Sequence, residues 1–235
     1  MSNRPNVGVI FDMDGVLVDS ARPHLLSWQR LAEEIGGSVT EAHFTATFGR
    51  QNNDIVPELF GPVTDNRLRE LGDRKEEIYR ELIRDHPPIV TGAVELVRAL
   101  RDAGVSLAVG SSGPMANVAL VLDAMGVRDL IRVIVSGDDA TRGKPDPEVF
   151  LLACAGLRLA PRRCVVVEDA PAGVAAARAA GARCVAVLRH HPAEAFDGAD
   201  CIVPRLADLT VARLLGLVDP SASAVSSPVV GPDRR

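Results

Sequence analysis

Short apolar runs alternate with stretches of helical periodicity through the second half of the chain. The runs carry Val, Ile, Leu, Ala and Cys at consecutive positions, which is typical of strands that are buried on both faces of a parallel sheet. The predicted strands are residues 7–11, 105–109, 133–135, 164–167 and 183–188, and the predicted core helices are 94–103, 117–125, 148–155 and 174–180. The helices are predicted to end at Gly104, Gly126, Gly156 and Gly181, because glycine readily takes the left-handed conformation after a helix. This pattern predicts a doubly wound, Rossmann-like α/β domain.

The segment between the first two predicted strands has a different pattern, because it is helical throughout. Apolar residues recur at helical spacing from Leu25, a capping-box pair is formed by Ser38 and Glu41, and a further helical stretch covers 67–84. We therefore predict an all-α cap domain that is inserted into the core. The predicted domains are a core of 1–19 and 89–218, a cap of 20–88, and a disordered tail of 219–235, which lacks periodicity.

Composition excludes several classes of function. The 235 residues are 47% hydrophobic and 24% charged, with a net charge of −5 and only 3% aromatic residues, so a basic groove for nucleic acid is not expected. We expect a cytoplasmic, monomeric protein without a membrane partner, because no apolar run reaches the roughly 18 residues of a membrane span. The four cysteines form no C-x-x-C pair and are expected to be reduced thiols in apolar surroundings.

Polar side chains follow the predicted strands at the points where ligands collect in parallel sheets. Asp12 and Asp14 follow the first strand, Ser111 and Ser112 follow the second, and Glu168 and Asp169 follow the fourth, while Lys144 precedes a helix. Each group alone also fits an ordinary role, as a turn, a loop hydroxyl, a solvated lysine or a helix cap. Together they predict one polar site at this edge of the sheet.

Four carboxylates in one site require a cation. At about 4 Å, each pair of like charges costs roughly 4 kcal/mol at an effective dielectric constant of 20. Mg²⁺ prefers hard oxygen ligands, so we predict a magnesium site from Asp12, Asp169 and a backbone carbonyl near Asp14, with Glu168 nearby. Ser111 and Lys144 can then bind a phosphoryl group, the first by a hydrogen bond and the second by its charge.

These residues resemble the haloacid dehalogenase superfamily, in its phosphatase and phosphomutase branch with a helical cap. Its four motifs correspond here to FDMDGVLVDS from Phe11, VGSSG from Val109, GKPDP from Gly143 and VEDAPAGV from Val167. The resemblance implies that Asp12 attacks phosphorus to form an aspartyl phosphate and that Asp14 is the general acid and base. It also implies that Ser111 and Lys144 hold the phosphoryl group, and that Asp169, helped by Glu168, completes the magnesium site. We expect the negative charge of the loaded site to raise the pKa of Asp14.

Within this superfamily the cap selects the substrate. The candidate substrate-binding residues are His24, Trp28, Gly49, Arg50, Lys75, Ser111, Ser112 and Lys144. Trp28 also fits a packing role, and His24 also fits a place at the cap hinge. The arrangement of His24, Trp28 and Lys75 resembles that of beta-phosphoglucomutases.

The residues that hold a second phosphate in beta-phosphoglucomutases are absent. Asn52 occupies the place of their arginine, and Gly113 and Met115 replace a serine and an asparagine. We therefore predict a magnesium-dependent phosphatase for a small phosphorylated metabolite such as a sugar phosphate. The alternative is a beta-phosphoglucomutase that interconverts beta-glucose 1-phosphate and glucose 6-phosphate, and a more distant one is a non-enzymatic, phospho-accepting receiver module.

Overall fold

A computed structural model describes residues 5–47 and 50–218, and it confirms the doubly wound α/β fold with an inserted helical cap. Six parallel strands form one sheet in the order β3-β2-β1-β4-β5-β6. The strands are β1 (Gly8–Phe11), β2 (Ser106–Gly110), β3 (Val133–Val135), β4 (Cys164–Glu168), β5 (Arg183–Val187) and β6 (Cys201–Val203). The order changes direction at β1, so the carboxyl end of β1 lies at the topological switch point.

Helices cover both faces of this sheet. They are α5 (Ala93–Asp102), α6 (Met115–Met125), α7 (Glu148–Leu157), α8 (Pro171–Ala180) and α9 (Val211–Val218). Alternate residues of β1 point to opposite faces: Val9 and Phe11 join one apolar cluster with α5, α6 and α9, and Ile10 joins another with α7 and α8. The unbroken apolar run of β1 is therefore buried on both sides.

Among the described residues, the cap contributes four helices between β1 and α5. They are α1 (Ala21–Glu34), α2 (Glu41–Thr47), α3 (Asn52–Phe60) and α4 (Asp65–Ile83). The cap has an apolar cluster of its own, in which Trp28 and Leu31 of α1 pack with Leu71 and Ile78 of α4. Short 3-10 turns occur at Arg128–Leu130, Pro161–Arg163, Ala193–Ala195 and Leu206–Asp208. In the described ranges, no helix is long and apolar enough to cross a membrane.

Two predicted helix boundaries are wrong. The capping box of Ser38 and Glu41 does not form, because α2 begins at Glu41 and Thr40 Oγ1 accepts the hydrogen bond from the His43 amide at 3.2 Å. Helix α7 does not end at Gly156 but continues to Leu157. The elements β6 and α9 were not predicted, and the predicted tail of 219–235 lies outside the described residues.

Candidate active site

Three carboxylates meet where β1 and β4 end side by side. Phe11 is in register with Val167, and the Asp12 amide donates to the Val167 carbonyl at 2.9 Å, so Asp12 lies beside Glu168, the last residue of β4. Carboxylate oxygens of Asp12, Glu168 and Asp169 lie within 4.8 Å of one another, and all three residues are buried. The pairing of β1 with β4 therefore builds the acidic cluster.

Glycines allow the backbone to approach these carboxylates closely. A Cβ atom on Gly15 would overlap the carboxylate of Asp169, and one on Gly173 would overlap that of Glu168. Gly15 also has a φ of +76°, which L side chains rarely adopt. The glycines of the first and fourth motifs are therefore required by the packing of the site.

Lys144 joins two of the carboxylates. Its Nζ donates to Asp12 Oδ1 at 2.7 Å and to Glu168 Oε1 at 2.6 Å. Glu168 Oε2 accepts hydrogen bonds from the amides of Asp169 and Ala170, at 2.8 and 2.9 Å. Both oxygens of Glu168 are thus engaged by donors of the protein, and its main contribution is to hold Lys144 and the start of the following loop.

The acidic cluster is short of positive charge. Burial raises the pKa of Asp12 to about 7; Lys144 opposes the rise, and Glu168 and Asp14 add to it. Burial and the neighbouring Glu168 and Asp12 also raise the pKa of Asp169 well above its ordinary value. A group of buried oxygen ligands with excess negative charge fits the hard cation Mg²⁺.

Asp14 is held by a relay that begins in the cap. Lys75 Nζ lies 2.8 Å from His24 Nδ1, and His24 Nε2 lies 3.2 Å from Asp14 Oδ1. Because an ammonium group only donates, His24 Nδ1 accepts from Lys75 and Nε2 donates to Asp14. Burial alone would raise the pKa of Asp14, but the hydrogen bond from His24 holds it below its ordinary value. The rise expected in the loaded site stays a prediction, as does the role of the Asp14 carbonyl in metal binding.

Ser111 and Ser112 lie at the end of β2. Ser111 is wholly buried, and its Oγ accepts from the Gly113 amide at 3.0 Å. Because Ser111 Oγ accepts in this contact, its hydroxyl proton is still available for donation, and its binding of a phosphoryl group stays a prediction. Ser112 lines the cavity above the carboxylates, whereas Ser111 lies beside it.

Most of the candidate substrate-binding residues of the cap line the cavity between core and cap. His24, Trp28, Arg50 and Lys75 line the same cavity as the acidic cluster. Trp28 is also part of the apolar cluster of the cap, so its predicted packing role is compatible with its position at the cavity. Gly49 lies outside the described residues.

Sequence reasoning missed other residues of this cavity. They are Phe44, Gln51, Ile55, Glu76 and His191, together with residues of the loops around the carboxylates; Asn52, which was noted above in the place of an arginine, also lines it. Glu76 had a detectable signal: it lies on the helical stripe of Leu71, Gly72, Lys75, Ile78, Tyr79 and Ile83, which faces inward along α4. A charged residue on an apolar stripe marks a buried polar contact.

Known proteins resemble this chain over most of its length. The family model described as haloacid dehalogenase-like hydrolase matches residues 7–181. Validoxylamine A 7'-phosphate phosphatase from Streptomyces hygroscopicus subsp. limoneus is 34% identical over 206 residues, which cover 87% of this chain and 94% of the relative. Beta-phosphoglucomutase from Bacillus subtilis (strain 168) is 32% identical over 219 residues, which cover 88% and 92% respectively. A beta-phosphoglucomutase structure from Clostridium difficile shares the fold, with a TM-score of 0.82, 23% identity and coverage of 92% of this chain and 98% of that one.

Proposed function

The chain belongs to the haloacid dehalogenase-like hydrolase family and is an enzyme of its phosphatase type, and from this premise we propose that it is a magnesium-dependent phosphatase for a small phosphorylated metabolite. The reaction passes through an aspartyl phosphate on Asp12. The observation that carries this proposal is the buried cluster in which Lys144 binds both Asp12 and Glu168, with Asp169 beside them.

Asp12 is the nucleophile of the first step. Lys144 fixes one carboxylate oxygen at 2.7 Å, which limits the orientation of the group before reaction. A carboxylate oxygen of Asp12 forms a bond to phosphorus while the bond from phosphorus to the leaving oxygen breaks. Ser111, Ser112 and Lys144 hold the oxygens of the phosphoryl group during this transfer.

Asp14 moves the protons. It gives a proton to the leaving oxygen in the first step and takes one from water in the second, and that water then attacks phosphorus and releases Asp12. His24 positions the Asp14 carboxylate from the cap side, so the acid is in place when the cap lies over the core. The negative charge of a bound phosphate raises the pKa of Asp14 against the effect of His24 and favours its protonated form.

Asp12, Asp169 and the backbone carbonyl of Asp14 would hold Mg²⁺, and Glu168 supports them through Lys144 and the loop amides. When bound, Mg²⁺ offsets the charge of these carboxylates and of the phosphoryl group. Burial and the neighbouring carboxylates raise the pKa of Asp12 and that of Asp169, which supports this assignment because a cation stabilises the charged form of such groups.

The cap is proposed to extend over 20–88 and to move relative to the core of 1–19 and 89–218. The two chain crossings lie side by side: the Asp19 amide donates to the Pro88 carbonyl at 2.8 Å, and Val18 and Ile89 form an antiparallel bridge. Such a double crossing is a natural hinge for closure over a substrate.

Hydrolysis is favoured over phosphoryl transfer to a second site on the substrate. Gly113 offers no side chain to a second phosphate, and the Asn52 amide donates to Glu76 at 2.8 Å. The named relatives include both a phosphatase and a phosphomutase at similar identity, so this proposal depends on these side chains rather than on the relatives.

Phosphate release with and without Mg²⁺ tests the proposal. The substrates are sugar phosphates, phosphoglycolate and beta-glucose 1-phosphate, with glucose 6-phosphate measured in parallel. We expect magnesium-dependent release that is lost in Asp12→Asn and kept in Asp102→Asn, which changes an exposed aspartate of the core. Conversion of beta-glucose 1-phosphate to glucose 6-phosphate with little free phosphate would contradict it and show a mutase, whereas a single labelling without turnover would indicate a receiver module.

A further inference from the structure

Glu76 is a buried carboxylate at the junction of cap and core. It is 8% exposed and accepts three hydrogen bonds. Asn52 Nδ2 and Lys75 Nζ donate to Oε1, each at 2.8 Å, and Asn117 Nδ2 donates to Oε2 at 2.7 Å. Asn52 and Lys75 belong to cap helices, whereas Asn117 belongs to α6 of the core, so both parts of the molecule hold this group.

The orientation of Asn117 makes this arrangement specific for a hydrogen-bond acceptor. Arg80 Nη1 donates to Asn117 Oδ1 at 2.9 Å, which turns the amide nitrogen of Asn117 towards Glu76. An acceptor is therefore required at that position. Although burial opposes ionisation, the neighbouring Lys75 and the other donors lower the pKa of Glu76 to about 2, so the group is a fixed negative charge under ordinary conditions.

Glu76 stands beside the space that a substrate must use. It lines the cavity that contains Asp12 and Asp14, and it also lines an adjoining cavity between α4 and α6. The residues common to both cavities are Gln51, Asn52, Glu76, Ser112 and Pro114. A substrate that extends from the phosphoryl site into the adjoining cavity therefore passes this carboxylate.

The cations that face this space are matched by carboxylates. Among the described residues, the cap contributes one arginine and one lysine to the catalytic cavity; Arg50 pairs with Glu58 at 2.7 Å, and Lys75 pairs with Glu76 at 2.8 Å. The adjoining cavity has no excess of positive charge among its described residues, because acidic side chains line it together with the arginines. These side chains are Arg69, Arg80, Asp73, Glu76 and Asp138.

We propose that Glu76 is a specificity-determining residue that rejects substrates with a second phosphate and selects monophosphates with an uncharged, hydroxyl-rich end. The proposal rests on the phosphatase function proposed above and names its substrate class. A second phosphate would bring like charge against a carboxylate that cannot move away, which is discrimination by repulsion. A hydroxyl group is accepted, because a carboxylate has about four acceptor positions and three are occupied.

The test compares glucose 6-phosphate with glucose 1,6-bisphosphate, and fructose 6-phosphate with fructose 1,6-bisphosphate, in the presence of Mg²⁺. From initial rates, we expect the kcat/KM of the wild-type chain to be at least tenfold higher for each monophosphate than for its bisphosphate. Glu76→Gln removes the negative charge of the side chain and leaves Lys75 without its carboxylate partner. This substitution should lower the ratio of the monophosphate kcat/KM to the bisphosphate kcat/KM by tenfold or more. The matched control is Glu77→Gln, the next residue of the same helix, whose exposed carboxylate pairs with Arg74 outside the cavity. This control should change the ratio less than twofold.

A binding measurement gives a readout without turnover. In the Asp12→Asn background, calorimetry should show that each monophosphate binds at least tenfold more tightly than its bisphosphate, and that adding Glu76→Gln reduces this difference. Equal affinities in the chain that retains Glu76, or a ratio unchanged by Glu76→Gln, would overturn the proposal. If Glu76→Gln does not fold, the proposal is tested by the Asp12→Asn chain alone, through its affinities for each monophosphate and the corresponding bisphosphate. Absence of phosphate release from every substrate would refute the phosphatase function and leave this binding test intact.

Discussion

Lys144 illustrates how one residue serves two purposes at the candidate site. Its side chain is 5% exposed and lies between Asp12 and Glu168, so it supplies the charge that allows these carboxylates to be buried. The sequence indicated a phosphoryl-binding lysine, but its pairing with Glu168 is visible only in the structure. Its binding of a phosphoryl oxygen stays a prediction.

Replacement of Asp14 by asparagine tests the proton transfer. Asp14→Asn keeps the size of the side chain but cannot exchange a proton, so kcat should fall by about 10²- to 10⁴-fold across pH 5 to 8. Steady-state phosphate release measures the effect, and the melting temperature shows whether the fold is intact. Full activity of Asp14→Asn over this range would mean that another group moves the proton.

Replacement of Asp169 tests the metal site independently of turnover. Mg²⁺ that binds only the folded chain stabilises it by about 2.7 kcal/mol at a concentration of 100 times its Kd. We expect Mg²⁺ to raise the melting temperature of the wild-type chain and of Asp102→Asn, but to raise that of Asp169→Asn much less. A magnesium-induced shift of equal size in Asp169→Asn would place the metal elsewhere.

At the scale of elements, Gly156 shows why glycine does not always end a helix. It lies inside α7, and a Cβ atom at this position would lie 2.7 Å from Val133 Cγ1 of β3. The glycine therefore allows close packing of α7 on the sheet. The left-handed residue that follows this helix is Arg158, with a φ of 60°.

Gly156→Ala should lower the free energy of unfolding by about 1 kcal/mol. Alanine gains about 1 kcal/mol over glycine within a helix, but the overlap with Val133 costs roughly 1 to 3 kcal/mol. In a Val133→Ala background the overlap is removed, so the same substitution should become stabilising. Denaturant unfolding of the four chains of this double-mutant cycle measures the reversal.

Gly37→Ala is the control for this cycle, because its nearest atom, the Ala32 carbonyl oxygen, lies 3.6 Å from the added Cβ. It should leave the effect of Val133→Ala unchanged. A Gly156→Ala substitution that stabilises both backgrounds equally would show that contact with Val133 does not select the glycine.

At the scale of the whole molecule, cap and core are joined by polar contacts above the site. The cap contacts the core through hydrogen bonds of Glu76 and Arg80 with Asn117 and of His24 with Asp14. At the end of α4, Tyr79 and Ile83 also pack in the apolar cluster of the core. Hydrogen bonds to charged groups contribute roughly 1.5 to 3 kcal/mol each and can break and re-form, because water can replace either partner. This favours a cap that closes for phosphoryl transfer and opens for exchange of substrate and product.

A covalent link between cap and core tests this motion. Arg69 and Asp138 line the same cavity between α4 and the core, so Arg69→Cys and Asp138→Cys can be joined by a short bismaleimide. Cys201→Ser removes the cysteine that is not buried. The linked protein should turn over a small substrate more slowly than either single-cysteine protein treated with the same reagent. Unchanged turnover would refute gating by cap motion.

The sequence by itself determined the fold class and the identity of the acidic cluster. Consecutive apolar residues in runs such as 164–167 indicate strands buried on both faces, and this local pattern leaves few arrangements of strands and helices. Asp12, Lys144, Glu168 and Asp169 could be named because each follows or precedes such an element at the ligand-binding edge. Their roles as nucleophile, phosphoryl-binding group and metal ligands stay predictions until they are measured.

Only the tertiary structure decided which distant groups meet. The relay from Lys75 through His24 to Asp14, and the contact of Glu76 with Asn117, join residues whose distance along the chain carries no local signal. The tertiary structure also explains why α7 continues past Gly156, since the close approach of Val133 requires glycine at this position for packing and not for a helix end. Periodicity reports which face of an element is buried, because that depends on local spacing. What lies against that face depends on how cap and core pack, and this packing placed the Glu76 carboxylate at the cavity that contains the acidic cluster.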